Sequence, residues 1–398
     1  MANFALTEEQ TEFRKFLREF AEKEIRPVAA EYDETEEFPW PVVKKAAEVG
    51  IYDFNFYVQA GSDESGLMMP IALENLCWGC AGIGLCIFGT GLPLAALASS
   101  GTPDQLQTWA PKMFGTAEDP RLGAFAVTEP QAGSDVSKLR TTAKRERDGW
   151  LLNGRKVFIT NGGIADVHVV VATVDPDLGH RGQASFLVEK GTPGLSQGKK
   201  EKKLGIRASH TAEVILEDVW VPAENLLGGD QKLQAKLERA RQGQSTGRAS
   251  GALATFEATR PSVGAQAVGI AQAALEFATQ YAKERETFGR PIIEHQGVAF
   301  KLADMAMETE AARLLVWRAA WMARTGQPFV HAEGSMSKLK AGEVAVKVTE
   351  DAIQVLGGYG YIKDFPVEKW YRDAKIYTLF EGTSEIQRLV ISRALAAE

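Results

Sequence analysis

The hydrophobic residues of this chain change period twice along its length, and no architecture built from one repeating element accommodates both changes. From Thr7 the apolar positions recur at helical spacing (Phe13, Phe16, Leu17, Phe20), with acids in the first turn. Pro27, Pro39 and Pro41 punctuate the next stretch. An apolar helical segment over 70–99 and the amphipathic run PDQLQTWAPKMF then complete an all-helical N-terminal unit, residues 1–120. Between residues 121 and about 227 the pattern switches to short runs rich in β-branched and aromatic residues: GAFAVTE, GWLLNGRKVFITNG, DVHVVVATV, ASFLVEK and AEVILEDVWVP. Gly, Asp and Pro separate them, which predicts a central β unit over 121–235. The helical period returns in long stretches at 264–284, 296–324 and 331–356, with a last one after Thr383, so 236–398 form a C-terminal helical unit.

Helices, then strands, then helices define an α+β chain, without the strand–helix alternation of a doubly wound sheet. G-x-G-x-x-G is absent, so nicotinamide binding loses its usual support. A length of 398 residues accords with two to three domains. The net charge of −7 carries no long single-sign block and does not describe a nucleic-acid surface. Glu8, Glu9 and Glu12 sit where a transit peptide is poor in acids, and no apolar run approaches the roughly 18 residues of a membrane span, so the expectation is a cytoplasmic protein without membrane insertion. Cys77, Cys80 and Cys86 lie in one apolar stretch. Cys77 and Cys80 have C-x-x-C spacing, but with no second such pair they read as buried small hydrophobes. A basic insertion near 229–249 places Lys232, Lys236, Arg239, Arg241 and Arg248 against Asp230 and Glu238, and reads as an exposed, partly helical loop.

Five polar stretches could carry chemistry. Thr128–Asp135 is a turn whose Gly133, Ser134 and backbone N–H groups could cradle an anion such as a pyrophosphate, or simply end a strand. Phe158-Ile-Thr160-Asn-Gly-Gly suits a planar ring lying against backbone, and equally a tight turn. In Arg285-Glu-Thr287-Phe288-Gly-Arg-Pro a helix stop explains the Gly and Pro but not Arg285 or Thr287. Gln354-Val-Leu-Gly357-Gly358 has one glycine more than a helix end requires. In Phe380-Glu381-Gly382-Thr383-Ser384, Ser384 and Gln387 can form a capping box for the last helix. Glu381 is then either an ordinary cap-region carboxylate or a general base whose pKa is raised by desolvation. The five histidines have no metal-ligand spacing, no G-x-S-x-G elbow occurs, and no metal site is expected.

In their order along the chain, AFAVTEPQAGSD, FITNGG, ERETFGRPIIEHQ, QVLGGYGY and FEGTSEIQR resemble the acyl-CoA dehydrogenase family, and especially its medium-chain branch, over nearly the whole chain. The resemblance implies a helical N-terminal domain, a central β-barrel-like domain and a C-terminal four-helix bundle. It implies FAD held by Val127, Thr128, Gly133, Ser134, Phe158 and Thr160 of one subunit, and by Arg285, Thr287, Phe288, Gln296, Gln354, Gly357 and Gly358 across an interface, with Thr383 near the flavin. Glu381 would remove the α-proton of an acyl-CoA thioester while the β-hydrogen leaves as hydride to the flavin, giving a trans-2-enoyl-CoA. Thr259 stands where other branches carry the base, and Thr cannot serve. Ser134, Phe88, Arg260 and Gly382 would contact substrate; Phe88 replaces a polar residue deep in the acyl pocket and would shorten it. The implied assembly is a homotetramer and the implied acceptor an electron-transfer flavoprotein. Phe158, where many relatives have Trp, admits an acyl-CoA oxidase as the alternative; a non-catalytic flavin-binding subunit of a heteromeric complex is the other.

Overall fold

The structure, a computed structural model, describes residues 5–243 and 252–396. The N-terminal helices are α1 (Glu8–Phe20), α2 (Ala29–Thr35), α3 (Trp40–Glu48), α4 (Phe54–Ser62), α5 (Met68–Gly79), α6 (Ala81–Phe88), α7 (Gly91–Ser100) and α8 (Pro103–Phe114). Thr7 starts α1 with a reciprocal cap: its Oγ1 accepts from Gln10 N at 3.2 Å and its N–H donates to Gln10 Oε1 at 3.1 Å. The apolar segment that reads as one helix over 70–99 is three. Cys80 breaks it with extended backbone (φ −164°, ψ 124°) and Gly89-Thr90 breaks it again, leaving α6 buried along its whole length. Across those breaks Ala81–Ser100 does reach the length and mean hydropathy (1.8) of a membrane-crossing segment, contrary to the sequence expectation; 78% of it is buried inside the fold. Glycine and threonine interruptions shorten an apolar run without lowering its mean hydropathy. All three cysteines are buried in this region.

The central unit holds β1 (Gly123–Ala126), β2 (Thr142–Glu146), β3 (Gly149–Thr160), β4 (Val167–Thr173), β5 (Gln183–Glu189), β6 (Leu195–Lys200) and β7 (Thr211–Pro222). They form one curled sheet in the order β1-β4-β2-β3-β7-β6, with β5 also on β4. Its two halves, β1-β4-β5 and β2-β3-β7-β6, meet at a single rung, Thr142 opposite Thr173. The five apolar runs read from the sequence are β1, β3, β4, β5 and β7. The sequence pattern missed β2 and β6, because TAKRE and LSQGKK pair through their backbones while most of their side chains face out.

One ion pair ties the end of β1 to β3. Lys156, with no accessible surface, donates at 2.8 Å to both the Val127 carbonyl and Glu129 Oε1. Burial alone would raise the Glu129 pKa, but the Lys156 charge, the Thr141 hydroxyl and the Arg140 N–H hold it at about 2.

Helix α9 (Gly229–Arg241) follows the last strand and packs on the central β unit; the C-terminal unit contains α10 (Ala252–Glu284), a ribbon of β8 (Glu286–Thr287) and β9 (Arg290–Pro291), then α11 (Gln296–Arg324), α12 (Glu333–Leu356), α13 (Val367–Ala374) and α14 (Ser384–Ala396). Helices α10, α11 and α12 pack on one another, and α14 joins them against α12. Helix α10 also lies on α5 of the N-terminal unit so closely that a Cβ at Gly269 would come within 2.2 Å of the Glu74 carbonyl oxygen. The basic insertion is not a solvated loop through 229–241. Leu233, Leu237 and Ala240 form a buried stripe of α9, and Lys236 donates to the Gln183 carbonyl at 2.6 Å. Arg248 lies outside the described residues.

Glu129→Gln strands a buried lysine and is expected to cost about 3–5 kcal/mol, whereas the double variant with Lys156→Met recovers most of that loss. Urea denaturation of the three proteins at matched flavin content checks both statements.

Candidate active site

The chain enters α14 through Phe380, Glu381 and Gly382, two of which adopt left-handed backbone: φ is 53° at Glu381 and 87° at Gly382. Glycine tolerates this and glutamate does not, so Glu381 is held there by its surroundings. Two buried donors hold it. Lys338 on α12 donates from Nζ to the Gly382 carbonyl at 2.7 Å. Gln387 donates from Nε2 to the carbonyls of Glu381 and Gly382 at 3.2 and 3.0 Å. The expected Ser384–Gln387 capping box is therefore absent. Thr383 is the cap, its Oγ1 accepting from Ile386 N at 3.3 Å, because Ser384 already lies inside the helix and the Gln387 amide is turned back toward the base segment.

The Glu381 carboxylate faces a cavity of about 240 Å³. Counted over the whole residue Glu381 is only partly buried, yet its carboxylate lies among apolar groups. Burial raises its pKa to about 7, against the downward pull of the Lys338 charge, a 3.4 Å hydrogen bond from Thr259 Oγ1 to Oε2, and the Arg260 charge. The two positions that the resemblance associates with a base, 259 and 381, thus sit side by side. Arg260 is buried with its Nη1 on Ser335 Oγ at 2.9 Å; it influences the carboxylate from behind and is not part of the cavity wall.

One face of α10 (Thr259, Ser262, Val263, Gln266) lines the cavity at helical spacing, opposite residues of α4 to α7 that include Tyr57, Leu73, Phe88 and Leu92. Phe88 meets Tyr57 edge-on at 6.4 Å and Phe56 at 6.0 Å, making one wall aromatic. Gln266 is fixed by the Tyr377 hydroxyl, which donates to its Oε1 at 3.1 Å. Of the wall, the sequence assigns site roles to Phe88, Thr160 and Glu381 and also singles out Thr259 and Phe380. The α10 face could have been found from its spacing beside Arg260, whereas Tyr57 has no local signal.

The remaining predicted residues fall into two groups. Val127 is buried and Thr128 half-buried at the end of β1, next to the exposed Gly133-Ser134 turn and to Phe158, which is 65% exposed at φ 58°. Arg285, Thr287, Phe288, Gly357 and Gly358 line a second cavity of about 670 Å³, with Phe288 97% exposed; Gln354 and Gln296 are exposed beyond its lining. A Cβ added at Gly133, Gly357 or Gly358 would meet nothing within 4 Å, so packing inside this chain does not require those glycines. Exposed aromatic rings, hydroxyl and backbone donors, and open space over glycines are what a flavin dinucleotide needs, and these residues fit it. Gly382 contributes through its carbonyl and is not part of the wall of the Glu381 cavity, nor is Ser134.

Three family models match in chain order: the acyl-CoA dehydrogenase N-terminal domain over 7–116, the middle domain over 124–219 and the C-terminal domain over 249–396. The short-chain specific acyl-CoA dehydrogenase of Clostridium acetobutylicum is 42% identical over 394 residues, 98% of each chain. Butyryl-CoA dehydrogenase from Megasphaera elsdenii superposes with a TM-score of 0.88 at 38% identity, covering 99% of this chain and 100% of that one. A chain from a structure described as the electron transferring flavoprotein of Acidaminococcus fermentans gives a TM-score of 0.88 at 39% identity, with full coverage of both. These names correct the medium-chain emphasis of the sequence resemblance toward short-chain relatives. With all three domains matched in order and relatives aligned end to end, the chain belongs to the acyl-CoA dehydrogenase family and is an FAD-dependent oxidoreductase of acyl-CoA thioesters.

Proposed function

We propose that the chain dehydrogenates short acyl-CoA thioesters between Cα and Cβ, with Glu381 as the base. The observation that carries this reading is the Glu381 carboxylate itself: set in an apolar cavity, and with a pKa of about 7, it is both ionisable and basic at neutral pH. FAD, when bound, supplies the acceptor for the β-hydrogen as hydride. Val127, Thr128, Gly133, Ser134, Phe158 and Thr160 would hold it from this chain, and Arg285, Thr287, Phe288, Gln296, Gln354, Gly357 and Gly358 from a neighbouring copy, with Thr383 beside it. Glu381 takes the α-proton on its carboxylate, and its backbone N–H would donate to the thioester oxygen as negative charge develops there, an interaction of the kind commonly worth a few kcal/mol.

A cavity of about 240 Å³ lies below the range of about 300–1,000 Å³ typical of drug-sized ligands and suits a short acyl chain. The Tyr57 and Phe88 rings and the Gln266 amide leave little room for a longer one. A homotetramer is supported by an exposed apolar stripe on α11, where Phe300, Met307, Leu314 and Trp321 recur every seven residues and present a face suited to a second copy. The acceptor we infer is an electron-transfer flavoprotein, and a cytoplasmic location fits that pairing.

Anaerobic bleaching of the flavin by a panel of acyl-CoA thioesters tests the substrate: four-carbon chains are expected to bleach it fastest, with chains of eight carbons or more much slower. Glu381→Gln is expected to retain flavin and lose about 10²–10⁴-fold in that rate. Full bleaching by the variant at the parent rate would remove Glu381 from the mechanism. Because only the ionised carboxylate accepts a proton, kcat/KM should rise with pH through about 7 and level off above it, measured with a substrate that does not itself titrate there. Met307→Arg is expected to shift sedimentation toward species smaller than the parent assembly.

A further inference from the structure

We infer that Lys338 is a positioning residue of this reaction: its buried ammonium grips the base segment through the Gly382 carbonyl and supplies the counter-charge that lets the Glu381 carboxylate stay ionised. The inference rests on Glu381 being the base and adds a second residue to that machinery.

Lys338 is 1% exposed, in the second turn of α12, where the buried positions around it include Ser335, Ser337, Ala341 and Gly342. An ammonium there is expensive to desolvate unless something in the fold needs it. Its hydrogen bond goes to a carbonyl at the most constrained point of the C-terminal segment, where two successive residues are left-handed and the first is not glycine. A carbonyl accepts from any neutral donor, as the Gln387 amide demonstrates on the same oxygen, so the hydrogen bond alone does not call for a charge.

What calls for a charge is the carboxylate one residue earlier. The charged groups acting on Lys338 are Glu381 from the base segment, Glu385 from the start of α14 and Arg260 from α10. Glu385 is exposed and screened by water, and Arg260 is repulsive, which leaves Glu381 as the buried group that compensates the lysine. Lysine and carboxylate each stabilise the charged form of the other across a segment whose direction both fix. Burial draws the Lys338 pKa down to about 8, and the Glu381 charge opposes that fall. A lysine with a purely structural part could be replaced by a side chain of equal length without moving the acid limb of catalysis; a lysine with the part assigned here could not.

The experiment is the pH profile of flavin bleaching by a short acyl-CoA in the parent, Lys338→Met, Lys338→Arg and Glu381→Gln, each checked for flavin content. In Lys338→Met the acid limb should move up by about one unit or more, so that bleaching at neutral pH falls about 5-fold or more and part of the loss returns at high pH. Lys338→Arg, which keeps the charge, should leave the limb near that of the parent while lowering the plateau. A Lys338→Met enzyme with the parent's acid limb, whatever its plateau, overturns the inference. Should Lys338→Met fail to load flavin, Lys338→Gln, which keeps a donor and loses the charge, takes its place: a limb moved up supports the inference, and an unmoved one overturns it. Parent-like bleaching by Glu381→Gln would instead refute the base assignment, which separates the two failures.

Discussion

The site depends on a carboxyl group that is removed from water and still able to ionise. Desolvation alone would leave Glu381 protonated and useless as a base, whereas a direct salt bridge would hold it ionised and too weak. The fold takes a middle course, with two cations set behind the segment and a single hydroxyl at 3.4 Å from the carboxylate, so that its pKa settles at about 7. These influences come from two helices, Thr259 and Arg260 from α10 and Lys338 from α12, while the Gln387 amide of α14 holds the segment itself. The packing of α10 between α5 and α12 is thus what brings the charges and the cavity to one place.

A second buried lysine organises the turn proposed to hold FAD. Lys156 and Glu129 join the end of β1 to β3, and Glu129 also gathers the N–H groups of Arg140 and Thr141, so the turn that carries Gly133 and Ser134 leaves and returns to one carboxylate. This pair is satisfied on both sides and stays charged at neutral pH. Replacing such a pair by well-packed apolar residues is often nearly neutral for stability, so its use is better sought in the geometry it imposes. Val127 and Thr128 keep their places at the end of β1 because the lysine takes the carbonyl of one and the carboxylate next to the other.

Much of this was legible in the sequence because hydrophobic period reports burial directly. The switch from helical to β and back located the three units, and the five strongly apolar strands and the long C-terminal helices stand where the pattern put them. The polar strands β2 and β6 were not legible, since their pairing is carried by backbone. Nor was the break of 70–99 into three helices, which Cys80 and the Gly89-Thr90 pair impose within an unbroken apolar pattern. At the site, residues in dense local motifs were legible and those brought in from afar were not. Lys338, Tyr57 and Lys156 carry no motif; what marks them is burial of a polar group, which only the fold reveals. The α9 stripe Leu233, Leu237 and Ala240 lies at helical spacing, but the many charges around it hid the face.

Backbone strain links the two ends of the site. Phe158, Phe288 and Glu381 adopt φ of 58°, 54° and 53°, in the left-handed region where a side chain costs on the order of 1–3 kcal/mol. Glycine would relieve that cost at each position, and glycines stand close by at 162, 289 and 382, so its absence at these three reflects the side chains. Two are aromatic rings turned into open space, 65% and 97% exposed, where they gain nothing from the core of this chain; the third is the carboxylate. Each is held by rigid surroundings: Phe158 by a register shift between β3 and β7, Phe288 by the tip of the β8–β9 ribbon, and Glu381 by the Lys338 and Gln387 donors. Exposed rings on strained backbone offer a planar group a surface to pack against, and this supports the FAD placement proposed above.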